Sequence, residues 1–170
     1  MNPMRTIRIE KLTLNIGVGK NPQLLDKAMI LLKALSKAKP VKTHTQKRIA
    51  GWGLRPGLPI GCKVTLRGKN AAELLGRLLQ SKDNELIKKQ FDDHGNIAFG
   101  IPEYINIPGI EYNPEIGIIG LEACVTLERP GFRIKRRKNE KRKIPKKHGI
   151  KKEDAMDFMK KEFKINVGEV

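Results

Sequence analysis

Polar and apolar residues alternate through TIRIEKLTLNIGVG (6–19), and a period of two predicts a strand. The period then lengthens. In PQLLDKAMILLKALSKA, Leu24, Leu25, Ala28, Leu31, Leu32 and Leu35 fall on one face, so a helix follows, with Asn21 as N-cap, Pro22 in its first turn and Lys39-Pro40 ending it. VKTHTQKR (41–48) alternates weakly and is almost wholly polar, whereas IGCKVTLRG (60–68) alternates well; the Gly/Pro-rich stretch between them reads as a long hairpin loop. A second helix is expected from about Asn70, with Ala71, Leu74, Leu75, Leu78 and Leu79 as its apolar face.

FDDHGN (91–96) is a turn. Pro102, Pro108 and Pro114 break IAFGIPEYINIPGIEYNPEIGIIG into short edge strands and turns, and LEACVTLERP (121–130) is a clear strand. In KKEDAMDFMKKEFKINV, Glu153 and Asp154 suit a helix N-terminus, and Met156, Met159 and Phe163 share a side that can anchor the end of the chain on the body. The elements mix α and β in a single domain, divided into a body (1–132) and a basic arm with a terminal helix (133–170) that packs back on it.

Charge narrows the function. In a chain of 170 residues, 35 Lys and Arg oppose 18 Asp and Glu for a net charge of +17, which opposes compaction unless a polyanion answers it. Nucleic acid or an anionic membrane is the implied partner. Residues 133–152 alone hold twelve Lys and Arg and one acid, Glu140. That run mixes Arg with Lys and carries Ile134, Ile144, Pro145 and Ile150, so we read it as an extended arm that orders on RNA rather than a solvated tail. Eight aromatic residues are few for a single-strand binder that stacks bases, and structured RNA held by phosphates and shape fits better.

The start of the chain is charged and lacks an apolar h-region, and no apolar run approaches the ~18 residues of a membrane span, so a soluble, cytoplasmic protein without a membrane role is expected. Cys62 and Cys124 lie in strand-like runs without further ligands at metal spacing, and are expected to be buried free thiols, with neither disulfide nor metal site.

Catalytic patterns are weak. LTLNIGVGKNP runs a strand into glycines, a lysine and a helix start, but lacks the spacing of a P-loop and the third glycine of a dinucleotide fingerprint; a tight turn is the better reading. His44, His94 and His148 are scattered, and Ser36 and Ser81 have no base in reach. No catalytic residue and no cofactor is expected. Readings from other classes are a nucleotide-dependent enzyme using Asn15–Lys20 as a phosphate loop and an anionic-membrane binder using residues 133–163.

LTLNIGVGK, KRIAGWGLRPGLPIGCKVTLRG, FDDHGNIAFGI with YNPEIGIIGLEACVTLERPGFRIKRRK, and IPKKH span nearly the whole chain in order. Together they resemble the large-subunit ribosomal protein L-five family, and the extension from RPGFRIKRRK to IPKKH is similar to its archaeal and eukaryotic branch. The resemblance implies an α+β domain with an antiparallel sheet of about five strands and helices packed on one face. It also implies that the other face holds 5S rRNA in the central protuberance, with further contacts to large-subunit rRNA. Neighbours implied are P-site tRNA, a small-subunit head protein across an intersubunit bridge, and another 5S rRNA-binding ribosomal protein.

On this chain the family's strand asparagine falls on Asn15 and its threonine on Thr65, while Ala38 stands where the family often has glutamine. Strand position and residue type add Thr43, Gln46, Lys47, Lys63 and Arg67 as rRNA contacts, and the arm adds Arg133, Lys135, Arg136, Arg137 and Lys138. The loop 49–59 is expected to face tRNA through Arg48, Gly51, Trp52, Gly53, Arg55 and Gly57. Trp52 either offers a flat face to ribose or base, or folds back as a plug.

Overall fold

The computed structural model describes residues 2–168. Its chain order is β1 (Arg8–Gly17), α1 (Pro22–Ser36), β2 (Val41–His44), β3 (Pro59–Leu66), α2 (Lys69–Gln80), β4 (Glu85–Ile87), β5 (Ile97–Ile101), β6 (Leu121–Glu128), α3 (Lys152–Phe163) and β7 (Asn166–Gly168). Five strands form one sheet in the order β2-β3-β1-β6-β5, every neighbouring pair antiparallel. The fold class is α+β, as the resemblance implied.

Alternation decides which face is covered. Leu12, Leu14 and Ile16 of β1, Cys62, Val64 and Leu66 of β3, and Ala123, Val125 and Leu127 of β6 are all buried. Against that face pack α1, over β3, and α2, over β1. Their buried residues match the expected apolar faces, except that Leu24 is only half-buried. Each fully buried Leu contributes about 1.5–3 kcal/mol, so this layer holds the sheet together and leaves its other side to water.

Local chemistry sets the boundaries. The Asn21 Oδ1 accepts from the amides of Gln23 (3.1 Å) and Leu24 (3.3 Å), with Pro22 in the first turn. α1 stops at Ser36, short of Ala38, because Lys37 takes the left-handed conformation and its N–H closes on the Lys33 carbonyl. β2 is half the expected length. Opposite Pro59, which has no N–H to give, the register shifts between Thr43 and His44, and the pairing continues only irregularly, the Thr45 N–H donating to the Leu58 carbonyl and the Gly57 N–H to the Thr45 carbonyl. Thr45 then turns the chain, its hydroxyl donating to the Lys47 carbonyl.

The expected terminal helix is α3, with Ala155 and Met159 buried and Met156 and Phe163 half-buried. Beyond it β7 pairs in parallel with β4, a contact between segments some eighty positions apart that the pattern did not reveal. Residues 102–120 form an irregular cover pinned by Tyr104, fully buried, whose hydroxyl accepts from the Asn113 amide. Among the described residues no helix is long and apolar enough to cross a membrane.

Candidate nucleic-acid interface

The uncovered sheet face can be read row by row from the register. One row runs Val41, Lys63, Asn15, Glu122 and Gly100 across β2, β3, β1, β6 and β5; the next runs Thr65, Thr13, Cys124 and Ala98. Thr43, Gly61 and Gly17 make a third. Apart from Val41 at the edge, the side chains are small or polar, which is what a surface needs if a sugar-phosphate backbone is to lie close against it.

Glycines deepen one end. Asn15, Gly17, Gly100, Gly120 and Glu122 line a shallow depression of about 450 Å³. A Cβ on Gly61 would lie 2.6 Å from the Ile16 carbonyl oxygen, so the close approach of β1 and β3 there requires glycine. The Asn15 amide donates weakly to Glu122, at 3.5 Å, which orients it across the sheet.

Among the expected sheet residues, Asn15, Thr65, Thr43 and Lys63 therefore share this face. Gln46 and Lys47 do not lie on a strand; with Arg48 they are exposed in the loop that begins where β2 ends. Arg67 is turned to the sheet's rim, donating to the Glu10 backbone carbonyl and carboxylate. Cys124, expected to be buried, is half-exposed on the open face, because β6 alternation sends it opposite Val125. Its thiol pKa is raised by burial and secondly by the Glu122 charge; Cys62, wholly enclosed, is pushed by burial to about 11.

The loop after β2 is a built projection. Ile49 and Leu54 exchange backbone hydrogen bonds of 3.1 and 3.0 Å around a short 3-10 turn, Ala50–Trp52. Leu54 is buried, so it is the plug, while Trp52 stands 67% exposed. Gly53 takes φ +59°, and the Lys20 ammonium packs so closely against it that a Cβ there would collide. Gly51, Arg55 and Gly57 are exposed around this tip. Lys20 thus braces the loop. The amides of Val18 and Gly19 both donate to the Ile60 carbonyl at 3.0 Å, so these two amides are not free to cradle a phosphate.

The arm is tied down where it leaves the sheet. Glu10 and Glu128, both buried, receive Arg8, Arg67 and Arg136: Arg8 reaches Glu128 at 2.7 Å, Arg67 reaches Glu10 at 3.4 Å, and Arg136 bridges both carboxylates. Arg136, expected among the RNA contacts, pairs its guanidinium with these two acids while remaining partly exposed. Arg137 donates to the Glu140 carbonyl at 3.0 and 2.8 Å. Arg133, Lys135 and Lys138 are exposed. Further on, Arg129 donates to the Gly149 carbonyl and the Asp154 carboxylate, both at 3.0 Å, and His148 Nε2 lies 2.9 Å from the Pro130 carbonyl. The arm is folded along the body, and not extended as its charge suggested.

Among the described residues no group of three or more His, Cys, Asp or Glu could hold a metal ion. Residues 2–55 match Ribosomal protein L5, and residues 59–158 match the C-terminus of the same ribosomal family. The chain belongs to the ribosomal protein L5 family. It is 51% identical to the large ribosomal subunit protein uL5 of Nanoarchaeum equitans, covering 98% of each chain. The uL5 of Sulfurisphaera tokodaii is 48% identical, over 99% of this chain and 96% of that protein, and that of Methanobrevibacter smithii 42%, over 98% of each. Membership makes this chain a structural, non-enzymatic, RNA-binding component of the large ribosomal subunit.

Proposed function

We propose that the open sheet face binds 5S rRNA in the central protuberance, with Asn15, Thr65, Thr43 and Lys63 as its contacts, and that Lys47 and the exposed arm residues Arg133, Lys135 and Lys138 meet further rRNA. The loop 49–59 reaches the P-site tRNA through Trp52, Arg48 and Arg55. A small-subunit head protein and another 5S rRNA-binding ribosomal protein are the protein neighbours, in the cytoplasm. The observation that carries the reading is the row Lys63, Asn15 and Glu122 beside Thr65 and Thr13: a face of polar hydrogen-bonding groups that no helix covers.

The test is binding of the full chain to 5S rRNA and to a structured RNA of similar length, titrated from low to physiological salt. A 5S preference that survives salt and falls about tenfold or more with Asn15→Ala is expected, since one lost hydrogen bond to a charged or well-ordered partner is worth ~1.5–3 kcal/mol. Equal affinity for both RNAs, vanishing with salt, would reduce the protein to a generic polycation.

A further inference from the structure

The folded arm lines a concavity away from the sheet face. Between the arm and the turn 91–96 lies a cavity of about 400 Å³, within the range of ~300–1,000 Å³ in which proteins hold small molecules. Its walls are apolar, from Phe132, Ile144, Pro145 and Ile150. Its rim is mainly cationic, from Lys135, Lys146 and Lys151, with His94 and one acid, Asp93, on the side of the turn.

The cavity is built, not accidental. Asp92 Oδ1 accepts from the amides of His94 (2.9 Å) and Asn96 (2.6 Å), closing the turn. Gly95 adopts φ +77° and a Cβ there would lie 2.5 Å from Ile150, so glycine is what lets the arm's buried isoleucine dock beneath the turn. The Arg129 and His148 contacts hold the other side, and the Lys135 ammonium sits 4.9 Å from the centre of the Phe132 ring.

We infer that this cavity receives a single unstacked nucleotide of bound RNA, its base inserted between the apolar walls and its phosphate held by the lysine rim. A flat apolar body joined to an anionic group is the chemistry that complements both features at once. The cavity lies away from the row of sheet residues, and rests only on the RNA-binding reading. It is assigned to the arm, whose lysines elsewhere offer point charges without shape.

The isotope-labelled full chain, titrated with UMP and AMP and with ribose 5-phosphate as the base-free probe, tests this by amide chemical shifts. The nucleotides are expected to shift His94 and residues 144–151 saturably at millimolar concentration, with ribose 5-phosphate at least tenfold weaker. Lys146→Ala/Lys151→Ala weakens all probes; Ile144→Ser, if its spectrum stays folded, weakens only the nucleotides. Equivalent responses to probes with and without a base, or no shift at these residues, overturn the inference. Because 5S rRNA preference is measured separately with Asn15→Ala, failure here leaves the sheet-face reading standing, and failure there leaves this cavity to be judged on its own titration.

Discussion

Cys62 and Cys124 lie on opposite faces of the main sheet, and their environments separate their chemistry. The thiolate is the reactive form, so a raised pKa slows alkylation at neutral pH and moves it to alkaline pH. At pH 8, Cys124 is expected to react slowly and Cys62 not at all until unfolding, read by mass spectrometry after timed labelling. Adding 5S rRNA should slow Cys124 further if RNA covers its face; unchanged labelling under saturating RNA would count against that placement. Cys62 also bears on stability. Its proton is held more tightly folded than unfolded, so stability is full below the ordinary thiol value of 9.0 and declines as pH rises towards about 11. Thermal melts of wild type and Cys62→Ala between those values should converge as pH rises.

Among the elements, the loop between β2 and β3 divides stability and contact between neighbouring residues. Leu54→Ala is expected to cost ~1–2 kcal/mol, at the low end for a buried leucine because the loop can partly collapse, whereas Trp52→Ala should leave the denaturation midpoint within ~0.5 kcal/mol. If Trp52 touches tRNA, only the second variant reduces tRNA affinity without loosening the fold. This contrast was invisible in sequence: GWGL offers two large apolar residues, and only the Ile49–Leu54 pairing decides which turns inward. Where periodicity was strong, as in Leu31, Leu32 and Leu35 or Leu74, Leu75, Leu78 and Leu79, the buried face was readable directly. Where one distant residue dictates the outcome it was not. A register shift opposite Pro59 ends β2 at His44, β4 and β7 find each other across some eighty residues, and nothing in the pattern marks Glu10 as a partner of Arg136 from the arm. Of the candidate RNA residues, Asn15, Thr43, Lys63 and Thr65 lie on strands as the alternation indicated, whereas Gln46 and Lys47, past the end of β2, and Arg67, just past β3, do not.

For the whole molecule, the excess charge has two parts with different fates. Lysines and arginines on the surface release counterions when RNA binds; if ~6 phosphates are neutralised, log K should fall with log salt at a slope on the order of −4 to −5, measured by filter binding. Arg136 belongs to the other part. Its replacement by Ala would leave Glu10 and Glu128 with only Arg8 and Arg67, and since Arg136 is partly exposed the expected loss is ~1–2 kcal/mol, below the cost of stripping a fully buried pair. Its salt slope should change little. A normal unfolding midpoint with a slope shallower by about one would place Arg136 on phosphate instead.

That clasp also imposes an order of events on a growing chain. All five strands of the main sheet precede residue 129, so the sheet can close while the arm has yet to emerge, and the two enclosed acids, already met by Arg8 and Arg67, then wait for a third cation eight residues behind Glu128. At ~5–20 residues per second the wait is about a second. The polycation therefore emerges beside a folded body that already holds a destination for one of its arginines, which gives the nascent arm a fixed first attachment before any nucleic acid competes for it.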